Sequence, residues 1–212
     1  MGNPVIIFGV NGIAKAAMEI FGSHDILVYG FLTDQKKLHK TEIGTVAVLV
    51  SPDDDGFLKL IGKKCEAFVA DDDNSNRREL VEMLNKKRKV QPTNAVHDRA
   101  FVSSSAGIGH GNFINAGAFL GADATIGNHC LIHSNAVIEH EAKVGDFVQI
   151  GAGAIINSGA VIEEGAFIGS GAIVISGVTI GANARVGAGS MVMANVAEDQ
   201  TVFGNPAQPI KA

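Results

Sequence analysis

Three histidines of this 212-residue chain, His129, His133 and His140, fall close together. A neutral imidazole takes a proton near neutral pH, so it suits an attacking amine or hydroxyl that must lose one. Neutral imidazoles are also the usual ligands of zinc. On position alone any of the three could equally be a solvated surface residue, and His110 and His129 are read that way. Other groups say less. The loop Gly9-Val10-Asn11-Gly12 follows a short apolar run, but a strand-to-helix turn needs glycine for backbone reasons alone. Asp71-Asp72-Asp73 has the look of a cation cluster, yet consecutive acids in a loop after a strand are normally solvated, and no site is assigned to them. Cys65 and Cys130 have no CxxC or metal spacing, and Cys130 is read as packing.

The element that must position the histidines shows itself in a repeat. From Val102, every sixth residue is aliphatic through Val192: Val102, Ile108, Ile114, Leu120, Ile126, Ile132, Ile138, Val144 and eight more without a break. The next residue is often Gly, as at Gly109, Gly121, Gly127 and Gly145, which suggests a left-handed corner there. Four places after the aliphatic stands a small side chain, such as Ala118, Ala124, Cys130 or Ala136. One large inward residue, one small one and a corner describe one side of a triangular prism. Three such units make a coil, so residues 18 apart stack, with coils spaced by roughly 4.8 Å. The sixteen units predict a left-handed parallel β-helix of about five coils over residues 102–195.

Residues 1–90 follow another rule. Apolar runs at Val5–Phe8, Ile26–Phe31, Val46–Val50 and Ala67–Ala70 alternate with helical patterns at Ile13–Phe21, Phe57–Ile61 and Arg77–Lys87. Alternation of this kind predicts an α/β domain, a small Rossmann-like parallel sheet with helices on its faces. Ligands of such sheets bind where strand ends meet helix N-termini. Residues 91–101 are expected to be a linker. Residues 196–212, with Thr201-Val-Phe-Gly-Asn-Pro-Ala, are expected to fold back over the last coil, which would otherwise expose a sheet edge.

Charge sharpens the division. Residues 1–101 carry 14 basic and 14 acidic side chains, whereas residues 102–212 carry three basic (Lys143, Arg185, Lys211) against eight acidic. No basic face is available for a nucleic acid. No apolar stretch approaches the length of a membrane span, and no signal-peptide pattern opens the chain, so a cytoplasmic location is expected.

A short sheet domain opening with Gly-x-x-Gly, then an unbroken six-residue repeat, then Gly204-Asn-Pro-Ala207, resembles one family across essentially the whole chain. It is the bacterial sugar acetyltransferase family that includes sialic acid O-acetyltransferases and UDP-4-amino-sugar N-acetyltransferases. The resemblance of Ile138-Glu-His-Glu-Ala-Lys-Val-Gly-Asp-Phe147 to the family's catalytic segment implies His140 as general base and Glu141 as its tuning carboxylate. It further implies acetyl-CoA as cosubstrate, contacted by Gln149, Ser170 and Ala188, and no metal. The sugar nucleotide would meet Asn11, Gly12, Ile13, Thr33 and Asp34, with His133 near the same cleft. A homotrimer with active sites between neighbouring helices is implied as well. The chain departs from the family in three places: Gln149 replaces a frequent His, Ile13 a usual His, and His133 a frequent Asn.

Acetyl transfer from a thioester needs neither metal nor covalent intermediate when the acceptor is well oriented, and a positioned base contributes about 10²–10⁴-fold. The expected reaction is acetyl-CoA-dependent N-acetylation of a nucleotide-linked sugar, first of all a UDP-4-amino sugar. The alternatives are O-acetylation of a sialic-acid-like sugar, a zinc enzyme of the β-helical carbonic anhydrase kind built on His129, His133 and His140, and a sugar-nucleotide-binding protein without activity.

Overall fold

The computed structural model describes residues 2–210; of the expected tail, Lys211 and Ala212 lie outside the described residues. Two compact units divide the chain, Met1–Ala95 and Val96–Ala212.

In the first unit a three-stranded parallel sheet has Val5–Phe8 at its centre, flanked by Val28–Leu32 and Glu66–Val69. All four residues of the central strand are buried, as a strand covered on both faces requires. Helices Gly12–Ser23 and Asn74–Arg88 follow the first and third of these strands in sequence. The run Val46–Val50 does not enter the parallel sheet as a full strand. Val46–Ala47 pairs antiparallel with Glu42–Ile43, and Val48 makes a single parallel bridge to Phe31.

The second unit is the three-sided parallel β-helix that the six-residue period predicts. Two-residue strands stack parallel in exact 18-residue steps, for example Phe119–Leu120 on Phe101–Val102 and Val137–Ile138 on Phe119–Leu120. The inward aliphatics and the small column form one continuous buried core, with Cys130 fully buried in it. Asn112 takes a place in the small column and remains satisfied: its Nδ2 donates to Gly127 O and its Oδ1 accepts from Cys130 N.

In this unit three findings differ from what the sequence predicts. The glycines directly after the aliphatics are not the left-handed residues. Positive φ falls two places later, at Gly117, Asp123, His129, Asn135, Glu141 and onwards. The glycine column is instead required by close approach: a Cβ on Gly121 would stand 2.7 Å from His140 N and 3.0 Å from Glu139 C. Winding also continues past Val192 by irregular steps, Val196 bridging Ile180 and Val202 pairing with Val186. With Ala95–Val96 joining at the start, the prism exceeds the five coils of the strict repeat. Of the described tail residues, Ala207–Pro209 fold back, antiparallel to Thr201–Gly204. Finally, His129 is buried rather than solvated, its ring tilted 4.9 Å from that of Phe147 one coil on.

Candidate active site

Each corner of the prism from residue 110 to residue 189 is a two-residue turn whose second residue has left-handed backbone. His140 is a first residue and Glu141, at φ 61°, a second. The corner is held by hydrogen bonds from the coils on either side: Glu141 N donates to Ala122 O and Gly159 N to His140 O. Gly121 lets the next coil settle directly on it, so the missing side chain at 121 sets the position of His140.

His140 is exposed, and Nδ1 is the nitrogen of its own ring that has partners. Nδ1 lies 3.2 Å from Ser158 Oγ and 3.5 Å from Glu139 Oε2. A carboxylate only accepts, so it favours the tautomer with hydrogen on Nδ1 and leaves the Nε2 lone pair outward. The same geometry argues against a serine nucleophile. In a Ser–His–acid triad hydroxyl and carboxylate sit on opposite ring nitrogens, whereas here both face Nδ1. The side chain of Glu141 is exposed, and the carboxylate recorded against the ring is that of Glu139.

Glu139 and Ser158 were missed in the sequence. Ser158 is 18 residues after His140, one coil on at the same corner, so the repeat could have found it by counting.

The neighbouring corner column runs through Ser134, Ala152, Ser170 and Ala188, stacked by Gly153 N to Ser134 O, Gly171 N to Ala152 O and Gly189 N to Ser170 O. His133 stands at the entry to this corner. Its Nε2 lies 3.3 Å from Nε2 of Gln149 on the adjacent rung, and the Phe113 ring meets it edge-on at 6.1 Å. Ser170 and Ala188 are exposed one coil apart. The structure thus brings Gln149 to His133 and lines Ser170 with Ala188, on a different corner from His140.

Between these two corners lies one face of the prism. Its outward column reads Phe101, Phe119, Val137, Ile155, Ile173 and Met191, apolar at every rung, with Phe101 and Phe119 stacked at 5.0 Å. The third corner is different again, with Asn128, Asp146 and Glu164 in successive coils. Asp146 Oδ1 accepts from Asn128 N at 2.7 Å. His129 belongs to that corner, so His129, His133 and His140 are spread over three corners. Among the described residues no three His, Cys, Asp or Glu side chains come together as a metal-ligand set.

In the first unit the loops after all three parallel strands meet at one edge of the sheet. Asn11 caps helix Gly12–Ser23, accepting from Ala14 N, and its Nδ2 reaches Asp72 Oδ1 at 3.4 Å. Gly12 is exposed at the first turn, but the Ile13 side chain is buried, so only its backbone faces the loop. Thr33 is buried and its carbonyl is held 2.8 Å from His39 Nε2. Asp34 is exposed and accepts from Ser51 Oγ, which also bonds Asp53. The Ser51 hydroxyl holds the Asp53 carboxyl below its ordinary range, while burial pushes that of Asp71 up. Asp34, Asp53, Asp71, Asn76 and Glu79 line a cleft of about 390 Å³. Its carboxylates suit N–H and O–H donors such as those of a base or ribose. Asp73 caps helix Asn74–Arg88 through Asn76 N. Among the described residues no helix is long and apolar enough to cross a membrane.

The model of the bacterial transferase hexapeptide (six repeats) family matches residues 105–140, 129–164, 141–175 and 159–194. Over 98% of its length the chain is similar to PerB from Caulobacter crescentus, solved with CoA and GDP-perosamine: 30% identity, 97% of that chain covered, TM-score 0.90. The acetyltransferase domain of PglB from Neisseria gonorrhoeae, solved with acetyl coenzyme A, is 26% identical, with 99% of this chain and 100% of that one covered and a TM-score of 0.89. WeeI from Acinetobacter baumannii is 25% identical, with 98% and 99% covered and a TM-score of 0.86. No curated protein sequence gives a significant match.

Proposed function

The chain belongs to the hexapeptide-repeat family of bacterial sugar acetyltransferases, and we propose that it acetylates the amine of a nucleotide-linked amino sugar, with acetyl-CoA as donor and His140 as general base. The observation that carries this reading is the His140 ring, held at Nδ1 by Ser158 and Glu139 with Nε2 open at an exposed corner. PerB, matched over 97% of its length, was solved with both CoA and GDP-perosamine.

In the proposed reaction the sugar nitrogen attacks the thioester carbonyl carbon while Nε2 of His140 takes a proton from it. The tetrahedral intermediate collapses, the C–S bond breaks, and the thiolate of CoA recovers the proton from the imidazolium. Glu139 places negative charge where the imidazolium forms, and Glu141, on the other side of the same residue, is proposed to add to it. Gln149, oriented by His133, and the exposed corner at Ser170 and Ala188 are proposed to carry the acyl-donor arm. Residues 1–90 are proposed to hold the nucleotide, with Asn11, Gly12, the backbone of Ile13, Thr33 and Asp34 at the loop edge. Uridine diphosphate is our first candidate, and guanosine diphosphate, present in the PerB complex, the second.

The apolar face gives the site its proposed assembly. It is flanked by the His140 corner on one edge and the Ser170–Ala188 corner on the other. A closed ring of three chains with these faces inward sets the His140 corner of one chain against the donor corner of the next. A face apolar at every rung, with Phe101 57% exposed at its start, suits burial against another chain.

The test is thiol release from acetyl-CoA with UDP- and GDP-linked amino sugars beside their hydroxyl counterparts, together with the mass in solution. Release with an amino sugar only, from a three-chain assembly, is expected. Equal release with the hydroxyl sugars, or none with any acceptor, overturns the reading.

A further inference from the structure

Charge that cancels in the count over residues 1–101 is sorted by the fold. Seven of the 14 basic side chains lie in two short segments, 56–65 and 84–90, and neither segment contains an acid. The first supplies Lys59, Lys63 and Lys64, and the second Lys86, Lys87, Arg88 and Lys89. The structure brings the two together. Arg88 donates from Nε and Nη2 to Ile61 O at 3.1 and 2.9 Å, and a Cβ on Gly62 would stand 2.6 Å from Val90 Cγ1. Lys59, Lys87 and Arg88 line one cleft of about 400 Å³ with Asp55 and Leu58. All six lysines are exposed. The flanking acids are Asp55, Glu66 and Glu82; Asp55 meets Lys87 at 3.8 Å and Glu82 meets Lys86 at 3.2 Å, so a positive surplus remains.

Part of this surplus has a local reason. Cations at a helix C-terminus are favoured, which accounts for Lys86, Lys87 and Arg88. Lys63 and Lys64 stand in a turn and have no such reason. They precede the start of strand Glu66–Val69, whereas Asp34 and Asp71 follow the ends of Val28–Leu32 and Glu66–Val69. These two lysines thus stand apart from the phosphates of a nucleotide held at the loop edge.

Apolar surface borders the lysines. Leu27 and Tyr29, two residues apart and hence on one face of the sheet, are 67% and 44% exposed. The Tyr29 ring meets Phe57 edge-on at 6.3 Å, and Phe57 belongs to the helix Asp55–Leu58 that also meets Lys87. Exposed Leu and Tyr beside clustered lysines suit a lipid headgroup layer, which the apolar side chains enter while the ammonium groups meet phosphates. A nucleic acid fits less well. The one arginine is spent on the carbonyls of Ile61 and Lys59, and the one aromatic of the two segments, Phe57, is occupied by Tyr29.

We infer that this surface of the first unit docks on an anionic lipid bilayer, held by the lysines of the two segments with Leu27 and Tyr29 at the headgroup level. Contact of this kind lies on the bilayer and needs no crossing helix. It does not depend on the reaction proposed above.

The test is sedimentation of the full chain with vesicles of phosphatidylcholine alone or with about one-third phosphatidylglycerol. Wild type is expected to bind the anionic vesicles about tenfold more tightly than the neutral ones at low salt, with the difference lost in about 0.5 M salt. Lys63→Glu with Lys64→Glu should weaken that binding about tenfold. Lys86→Glu with Lys89→Glu is a second reversal on the other segment with the same expectation, so a folding defect in one pair leaves the other to decide. Lys36→Glu with Lys37→Glu makes an equal change in net charge at exposed residues beyond the end of Val28–Leu32, and should alter binding by less than about twofold. Leu27→Ser with Tyr29→Ser should weaken it about fivefold. Equal binding to neutral and anionic vesicles, or an equal loss in the Lys36 and Lys37 pair, would overturn the inference. So would displacement of the chain from anionic vesicles by duplex DNA at the same phosphate concentration.

Discussion

The corner at His140 and the corner at Ser170 and Ala188 have the same backbone, a two-residue turn with the second residue left-handed, repeated at 18-residue steps and separated by one apolar face. Their side chains are opposites. The first gathers an imidazole, a hydroxyl and a carboxylate within 3.5 Å. The second is stripped to small uncharged residues along four coils. A fold with so regular a backbone supplies position cheaply and chemistry not at all. Function is therefore written in the few corners where a large polar side chain replaces a small one, and in those where nothing is allowed to protrude.

That contrast can be broken from both sides. The largest effect is expected from Ile155→Glu on the apolar face, which sets a charge where the proposed ring of chains closes. Turnover should fall to background, with single chains replacing the assembly in analytical ultracentrifugation and the circular dichroism spectrum retained. Next comes Ala188→Trp, which fills the empty corner. It should raise KM for acetyl-CoA by about tenfold, equivalent to about 1.4 kcal/mol, while kcat is preserved. Gly121→Ala tests the foundation of the His140 corner, because the new Cβ meets backbone 2.7 Å away at His140 N. A loss of about 1–3 kcal/mol in denaturant unfolding is expected, with a fall in kcat larger than the change in either KM. Gly159→Ala, at φ 65° with no atom within 4 Å, introduces backbone strain without a clash and should leave more of the activity. The smallest effect is assigned to Ser158→Ala, a drop of about twofold to fivefold in kcat, since Glu139 still faces Nδ1.

Much of this was legible in the residues because the prism has no freedom of register. Sixteen aliphatics at exact six-residue spacing determine which side chains face inward, which stack and where the corners fall. What was misread concerns neighbours rather than period. Glycine after the aliphatic looks like a turn residue. Its reason is instead the backbone of the next coil, which no count within one coil reveals. His129 carries a polar side chain at a corner, yet it is buried, its ring packed against that of Phe147 one coil on. Winding past Val192 escaped notice because the steps to Val196 and Val202 are four and six residues. In the first unit the run Val46–Val50 looked like a full strand, but half of it pairs with the two-residue strand Glu42–Ile43. At the site itself, Glu139 precedes the histidine, and rotation of the His140 ring brings Nδ1 to that side. The ring's orientation is a property of the folded corner and has no signature in a linear motif.

The central claim is that one imidazole on an otherwise inert repeat performs the proton transfer. Its most direct test is kcat for wild type and His140→Ala with the preferred amino sugar, at saturating acetyl-CoA, with binding of both ligands measured calorimetrically in parallel. A fall of about 10²–10⁴-fold in kcat with both affinities and the thermal midpoint unchanged is predicted. Turnover within a few-fold of wild type at equal affinities would contradict the assignment of the base to His140.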